Sequence, residues 1–140
     1  MTLVVDASVA VKWLVREHDS ELARGLFDLP DPLIAPDWLL IEAASTFRKK
    51  VEGSELLEIH AHRHLEDIPE FFSRLYPSRS LVDGALSLSF RLRHPVYDCL
   101  YLELARQMSC HMVTADKEFV QRLGGTPYAE LVVPLAQAVL

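Results

Sequence analysis

"LVVDASV", Leu3 to Val9, decides how this 140-residue chain is read. Three apolar, strand-forming residues run straight into an acid, and helical spacing of apolar residues begins just after it. An ionised carboxylate at the end of a buried strand costs several kcal/mol unless a donor or a cation meets it. Asp6 is therefore either a helix cap or a ligand.

Outward from that stretch, short apolar runs predict further strands at Leu33 to Ala35, Phe71 to Leu75, Met112 to Ala115 and Leu131 to Val133. Helical patterns separate them. Ser8 predicts a cap for a helix beginning at Val9, whose Val11, Leu14 and Val15 share a stripe, and a shorter helix follows from Ser20. Pro36 predicts the opening of a helix over Asp37 to Val51, and Ser54 another reaching about Asp67. "SRSLVDGALSLSFRLR", "PVYDCLYLELARQM" and "KEFVQRL", the last stopped by Gly124 and Gly125, complete the set. Strands that alternate with helices imply an α/β fold, a parallel sheet of four to five strands covered on both faces.

Half of the residues are hydrophobic, enough for one core, so residues 1–140 are expected to form a single domain. No apolar run has the length of a bilayer span and no basic leader precedes "LVV", so a cytoplasmic protein with no membrane partner is expected. Cys99 and Cys110 match no zinc spacing. A net charge of -6 argues against gripping nucleic acid by bulk electrostatics, although "RKK" (Arg48 to Lys50) and "RLRH" (Arg91 to His94) could touch phosphates. Lys12, Arg48 and Arg91 are the candidates near the expected rim.

Four acids stand out. Asp6 and Asp116 each follow an apolar strand, which puts both on the rim where sites of open α/β sheets form. Glu42 lies in "WLLIEAAS", a helix apolar nearly all round and so expected to be buried at this level, and Asp98 lies in "VYDCLYLELA". Glu103 is the polar residue of that second segment expected to face water. Were the four to converge, their mutual repulsion would require a cation, and an all-oxygen set favours Mg2+ or Mn2+.

"VVDASV", the acid of "WLLIEAAS", "YDCLYLELA" and "VTADKEF" stand in the order and spacing of PIN-domain ribonucleases, and the chain resembles the VapC toxin branch of that superfamily over essentially its whole length. The resemblance implies a three-layer α/β/α PIN-like domain, an Mg2+- or Mn2+-dependent endoribonuclease toxin, a homodimer, and neutralisation by a VapB-type antitoxin. Its RNA substrates would include structured RNAs such as tRNA. By position, Asp6, Glu42, Asp98 and Asp116 match the acidic quartet that holds the metal, and Ser8 and Thr114 match its hydroxyl residues. In the implied mechanism Asp6 and Asp116 hold the metal from the rim while Glu42 and Asp98 reach it from flanking helices, and Ser8 and Thr114 orient water or an acid. A further acid, Glu118, follows the "TAD" segment.

Other readings carry less. His60 and His64 of "HAHRH" are one helical turn apart but lack a third ligand, and Trp13, Trp38 and Phe47 are expected as core or interface anchors rather than base-stacking platforms. A haloacid-dehalogenase phosphatase would need an acid where Ser8 stands, and a receiver domain an acidic pair before its central Asp. The first half, Val9 to Phe27 and Pro36 to Val51, has apolar side chains to spare for a partner. The rival of a different class is a non-catalytic PIN-like module that binds protein or RNA.

Overall fold

The computed structural model describes residues 1–139 and carries five strands in one sheet: β1 (Leu3–Val5), β2 (Leu33–Pro36), β3 (Arg74–Tyr76), β4 (His111–Thr114) and β5 (Val132–Pro134). Every pairing is parallel and the order is β3-β2-β1-β4-β5. The chain thus winds one way from β1 through β2 to β3, then returns to the other side of β1 as β4. Between β1 and β4 the winding reverses, and the crevice beyond their carboxyl ends is where such sheets place a site. Asp6 and Asp116 follow those two strands.

Helices flank the sheet to make the three-layer α/β/α arrangement: α1 (Ala7–Leu14), α2 (Ser20–Arg24), α3 (Leu39–Glu52), α4 (Glu58–Asp67), α5 (Val82–Leu92), α6 (Val96–Met108), α7 (Lys117–Leu123) and α8 (Leu135–Ala138). Val4, Val5, Ala35, Met112 and Val113 are buried strand residues, as both-face coverage demands. Trp13 and Phe47 join the core, Trp13 among Phe27, Phe71 and Phe72 with its indole N–H donating to the Ala23 carbonyl at 2.9 Å. Among the described residues no helix is long and apolar enough to cross a membrane.

Several boundaries differ from the sequence reading for local reasons. Asp6 rather than Ser8 caps α1, because the Asp6 side chain accepts the Val9 N–H and its backbone is extended. Pro36 closes β2 instead of opening α3, whose approach is a turn tied to Ser78. Ser54 takes a left-handed φ of 60° in the turn after α3, so α4 starts only at Glu58. Phe71 ends a 3-10 turn, and β3 begins at Arg74.

Glu103 departs furthest from expectation. It is 1% exposed, because α6 lies on β1, β2 and β4 with α5 packed over it. Its carboxylate is compensated rather than hydrated: Arg106 donates two bonds to it, at 2.8 and 2.7 Å, and Gln107 a third at 2.7 Å. Arg106 holds the Glu103 carboxyl below its ordinary pKa. Gly84 of α5 lies directly over this carboxylate, where any β-carbon would run into the Glu103 side chain. A glycine inside a helix ordinarily weakens it, so close approach is the reason for this one.

Replacing Gly84 by Ala should therefore destabilise the protein by about 1–3 kcal/mol, the cost of overpacking, instead of adding the usual helix-propensity gain. In a Glu103→Ala background the same change should stabilise by about 0.5–1 kcal/mol. Urea unfolding of the four proteins measures both, and stabilisation by Gly84→Ala alone would contradict the packing described.

Candidate metal centre

Asp6 answers the question raised by its strand: it caps a helix and also stands at the cleft. With 4% of its surface exposed, its carboxylate survives on three donors. Oδ1 accepts the Val9 N–H at 3.2 Å and the Ser8 hydroxyl at 2.6 Å, and Oδ2 accepts the Thr114 hydroxyl at 2.5 Å. Thr114, fully buried on β4, also accepts the Asp116 N–H at 3.0 Å, while the Ser8 oxygen accepts the Ala115 N–H at 3.1 Å. Both hydroxyls thereby stitch the end of β1 to the end of β4. Asp116 repeats the device, capping α7 through a bond from the Phe119 N–H at 3.1 Å.

The other two acids arrive on helices. Glu42, in the first turn of α3, accepts the Tyr101 hydroxyl at 2.5 Å, and Asp98, in the first turn of α6, pairs with His94 Nε2 at 2.5 Å. Four helices, α1, α3, α6 and α7, begin at this rim, so the positive ends of their dipoles face the acids. Asp6, Ser8, Glu42, Asp98 and Asp116 all line one open cleft of about 590 Å³. Thr114 lies beneath it. Glu42 is only half-buried and its neighbour Ile41 is 55% exposed, so the start of α3 forms the wall of a cleft rather than the buried helix its composition suggests.

Charge is poorly accommodated without a cation. Burial pushes the Asp6 carboxyl up to about 7 against the opposing pull of its hydroxyl and N–H donors, with Asp98 adding repulsion. Burial also raises Glu42, opposed by Tyr101 and augmented by Asp98. Asp98 itself is raised by burial, opposed by His94, and pushed further by Asp116 and Glu118. Asp98 is thus the acid whose field reaches Asp6 and Glu42, and it feels Asp116 and Glu118 in turn. Glu118, exposed at the start of α7, contributes charge here.

The donor set fits a divalent ion. Asp98, Asp116 and His94 each offer a ligand atom within 4.8 Å of the others, whereas Asp6 and Glu42 border the same cleft outside that triad. His94 was not anticipated in this role: "RLRH" looked like a basic helix end. Its ring is buried and tilted against Phe119 with centroids 4.6 Å apart, and its signal in the sequence was the four-residue step to Asp98, one helical turn. The carboxylates suit Mg2+ or Mn2+, and His94, whose Nε2 is bonded to Asp98, suits a partner that orients that carboxylate. His60, His62 and His64 belong to no three-ligand group among the described residues, and His64 packs on Phe47. Of the basic candidates, Lys12 is bonded to Glu17 and the His18 carbonyl, Arg48 to Glu52 and Arg91 to the Tyr128 hydroxyl, whereas Lys49 lines the cleft.

The sequence pattern of the PIN domain family matches residues 3–123. No curated protein matches the chain. Among solved structures, the crystal structure of PAE2754 from Pyrobaculum aerophilum aligns with a TM-score of 0.71 at 18% identity, covering 99% of this chain and 87% of that one.

Because the Asp6 carboxyl is raised above its unfolded value of 3.8, its contribution to stability is fully present below about pH 4 and is lost as pH rises through about 7. Metal-free protein should be weaker at pH 8 than at pH 5 by up to about 3 kcal/mol from this group. Asp6→Asn should remove that part of the slope. Mn2+ should raise wild-type stability at pH 8 more than that of the variant, which keeps Asp98 and Asp116 but lacks the Asp6 charge. Urea melts in EDTA and in Mn2+ test this, and a variant that keeps the wild-type slope would refute the assignment of the strained charge to Asp6.

Proposed function

Since this chain belongs to the PIN domain family, whose members are generally metal-dependent nucleases acting on RNA, we propose that it is an Mg2+- or Mn2+-dependent endoribonuclease of the VapC toxin type. The observation that carries this reading is the convergence of Asp6, Glu42, Asp98 and Asp116 on one cleft at the reversal point of the sheet, with burial raising the pKa of three of them. A group of carboxylates that the fold cannot comfortably ionise is a site made for a cation.

Asp98 and Asp116, with His94 beside them, would hold the ion, and Asp6 and Glu42 would accept from its water ligands or bind it directly. A divalent ion bound there supplies a water of lowered pKa and positive charge to meet the scissile phosphate. Thr114 and Ser8 keep Asp6 oriented through their hydroxyl bonds, and Tyr101 does the same for Glu42. His94 fixes the rotation of the Asp98 carboxylate. In-line attack of water would leave a 5'-phosphate and a 3'-hydroxyl, and needs no 2'-hydroxyl from the substrate.

The partners follow the same reading. Val82, Leu86 and Phe90 stand at four-residue spacing on α5, 47%, 41% and 74% exposed, an apolar stripe that supports a homodimer. An apolar groove between α3 and α4, lined by Phe47, Val51 and Leu65, supports the docking of an amphipathic segment from a VapB-type antitoxin. The spare apolar residues of the first half serve mainly the core instead, since Val9, Val11, Trp13, Leu39 and Phe47 are buried.

Purified protein should cut RNA into discrete products with Mg2+ or Mn2+ and not in EDTA. Asp98→Asn should slow single-turnover cleavage by about 100-fold or more while the protein stays folded by circular dichroism. Cleavage that persists in EDTA or in Asp98→Asn would refute the mechanism, and RNA binding without cleavage in any metal would favour a non-catalytic module.

A further inference from the structure

Two rungs join the starts of α3 and α6. The inner one is the hydrogen bond from Tyr101 to Glu42; the outer one is Trp38 against Tyr97, ring planes 5° apart and centroids 5.5 Å apart. Trp38 and Tyr97 each precede their inner-rung neighbour by four residues, about one helical turn, so the aromatic pair forms the outer lip of the acid cleft. Trp38, partly buried and packed against the core, thus also lines the cleft, unlike Trp13 and Phe47.

Three features set this lip apart from ordinary surface. Tyr97 is 54% exposed, with Ile41 also exposed on the same cleft, so an apolar surface is left in water beside a charged site. The indole N–H of Trp38 is buried with no hydrogen-bond partner among the described residues, a donor that a folded chain ordinarily pairs. The backbone at Trp38 is also held in place before anything binds. The Ser78 hydroxyl accepts the Trp38 backbone N–H at 2.9 Å, and Asp37 accepts both the backbone N–H and the hydroxyl of Ser78, at 3.0 and 2.7 Å.

A flat aromatic face beside a phosphate-directed metal site is the complement of a nucleobase, since every base offers a π-face and is joined to its phosphate by a short sugar link. Lys49, seven residues after Glu42 and so near the same face of α3, is the cation among the described residues lining the cleft and suits a neighbouring phosphate. We propose that Tyr97, backed by Trp38, seats an unpaired nucleobase adjacent to the phosphate held at the acids, making these two aromatics positioning and selectivity residues for single-stranded RNA segments. The inference rests on the nuclease reading above and adds to it where the substrate lies. A base locked in a duplex has no free face to give the lip, so paired RNA is excluded by geometry rather than by charge.

The test uses the whole chain and a short unstructured RNA with one cut site, together with the same RNA made abasic at the nucleotide beside the cut. Stacking of one base is worth about 5- to 150-fold in binding. Tyr97→Ala should raise KM for the intact RNA by about tenfold with the loss falling on KM rather than kcat, and Tyr97→Phe should restore it. The abasic RNA should be a poor ligand for wild type and be treated alike by wild type and Tyr97→Ala. An unchanged KM in Tyr97→Ala, or an equal change for both RNAs, would overturn the proposal. Should wild type cleave no RNA at all, the nuclease reading fails, and the lip is read separately by tryptophan fluorescence. Quenching by the intact RNA that disappears in Trp38→Phe then supports the base seat, and no quenching, or quenching equal in Trp38→Phe, overturns it.

Discussion

The bond from the Thr114 hydroxyl to the buried Asp6 carboxylate is the constraint on which the rest of the site depends. It crosses between β1 and β4, the two strands at which the winding of the sheet reverses, and the same hydroxyl oxygen receives the Asp116 N–H. One threonine thus sets the spacing of two acids that lie 110 residues apart in the chain. Ser8 makes the parallel link to Ala115. A hydrogen-bond network of this kind, closed and largely removed from water, holds a carboxylate in place while leaving its charge only partly compensated.

That incomplete compensation gives the cleft its chemistry. Glu103 shows the alternative on the same helix as Asp98. Both are acids on α6, but Glu103 receives a paired guanidinium and an amide and is pulled down in pKa, whereas Asp98 receives one imidazole and the repulsion of its neighbours and is pushed up. The first is a structural ion pair sealed under Gly84. The second is a site that the fold leaves short of positive charge, offset by that one imidazole and by helix dipoles aimed at the rim. The difference lies in partners, since both residues occupy the same apolar stretch of sequence.

Much of this was legible in the chain alone. The strands beginning at Leu3 and Leu33 and the helices at Val96 to Met108 and Lys117 to Leu123 appear where their patterns put them, because their ends carry strong local signals such as Pro95 and the Gly124 and Gly125 stop. The acids Asp6 and Asp116 were legible because a charge after an apolar strand has few uses. Less legible were features that depend on what packs across. Glu103 looks solvated until α5 lies over it, and Glu42 looks buried until its helix is seen to wall an open cleft. His94 was hidden by the basic residues around it, and the lip of Trp38 and Tyr97 joins residues 59 positions apart, which no local pattern connects. Capping was ambiguous for a simpler reason: Asp6 and Ser8 are both good caps, and only the backbone conformation at Asp6 decides between them.

The central claim is that the strained acids of this cleft exist to hold a divalent cation. Anomalous diffraction from crystals soaked in Mn2+ tests it most directly. The account predicts a peak in the cleft within bonding distance of Asp98 and Asp116. An empty cleft at saturating Mn2+, with the four carboxylates unmoved, would contradict it.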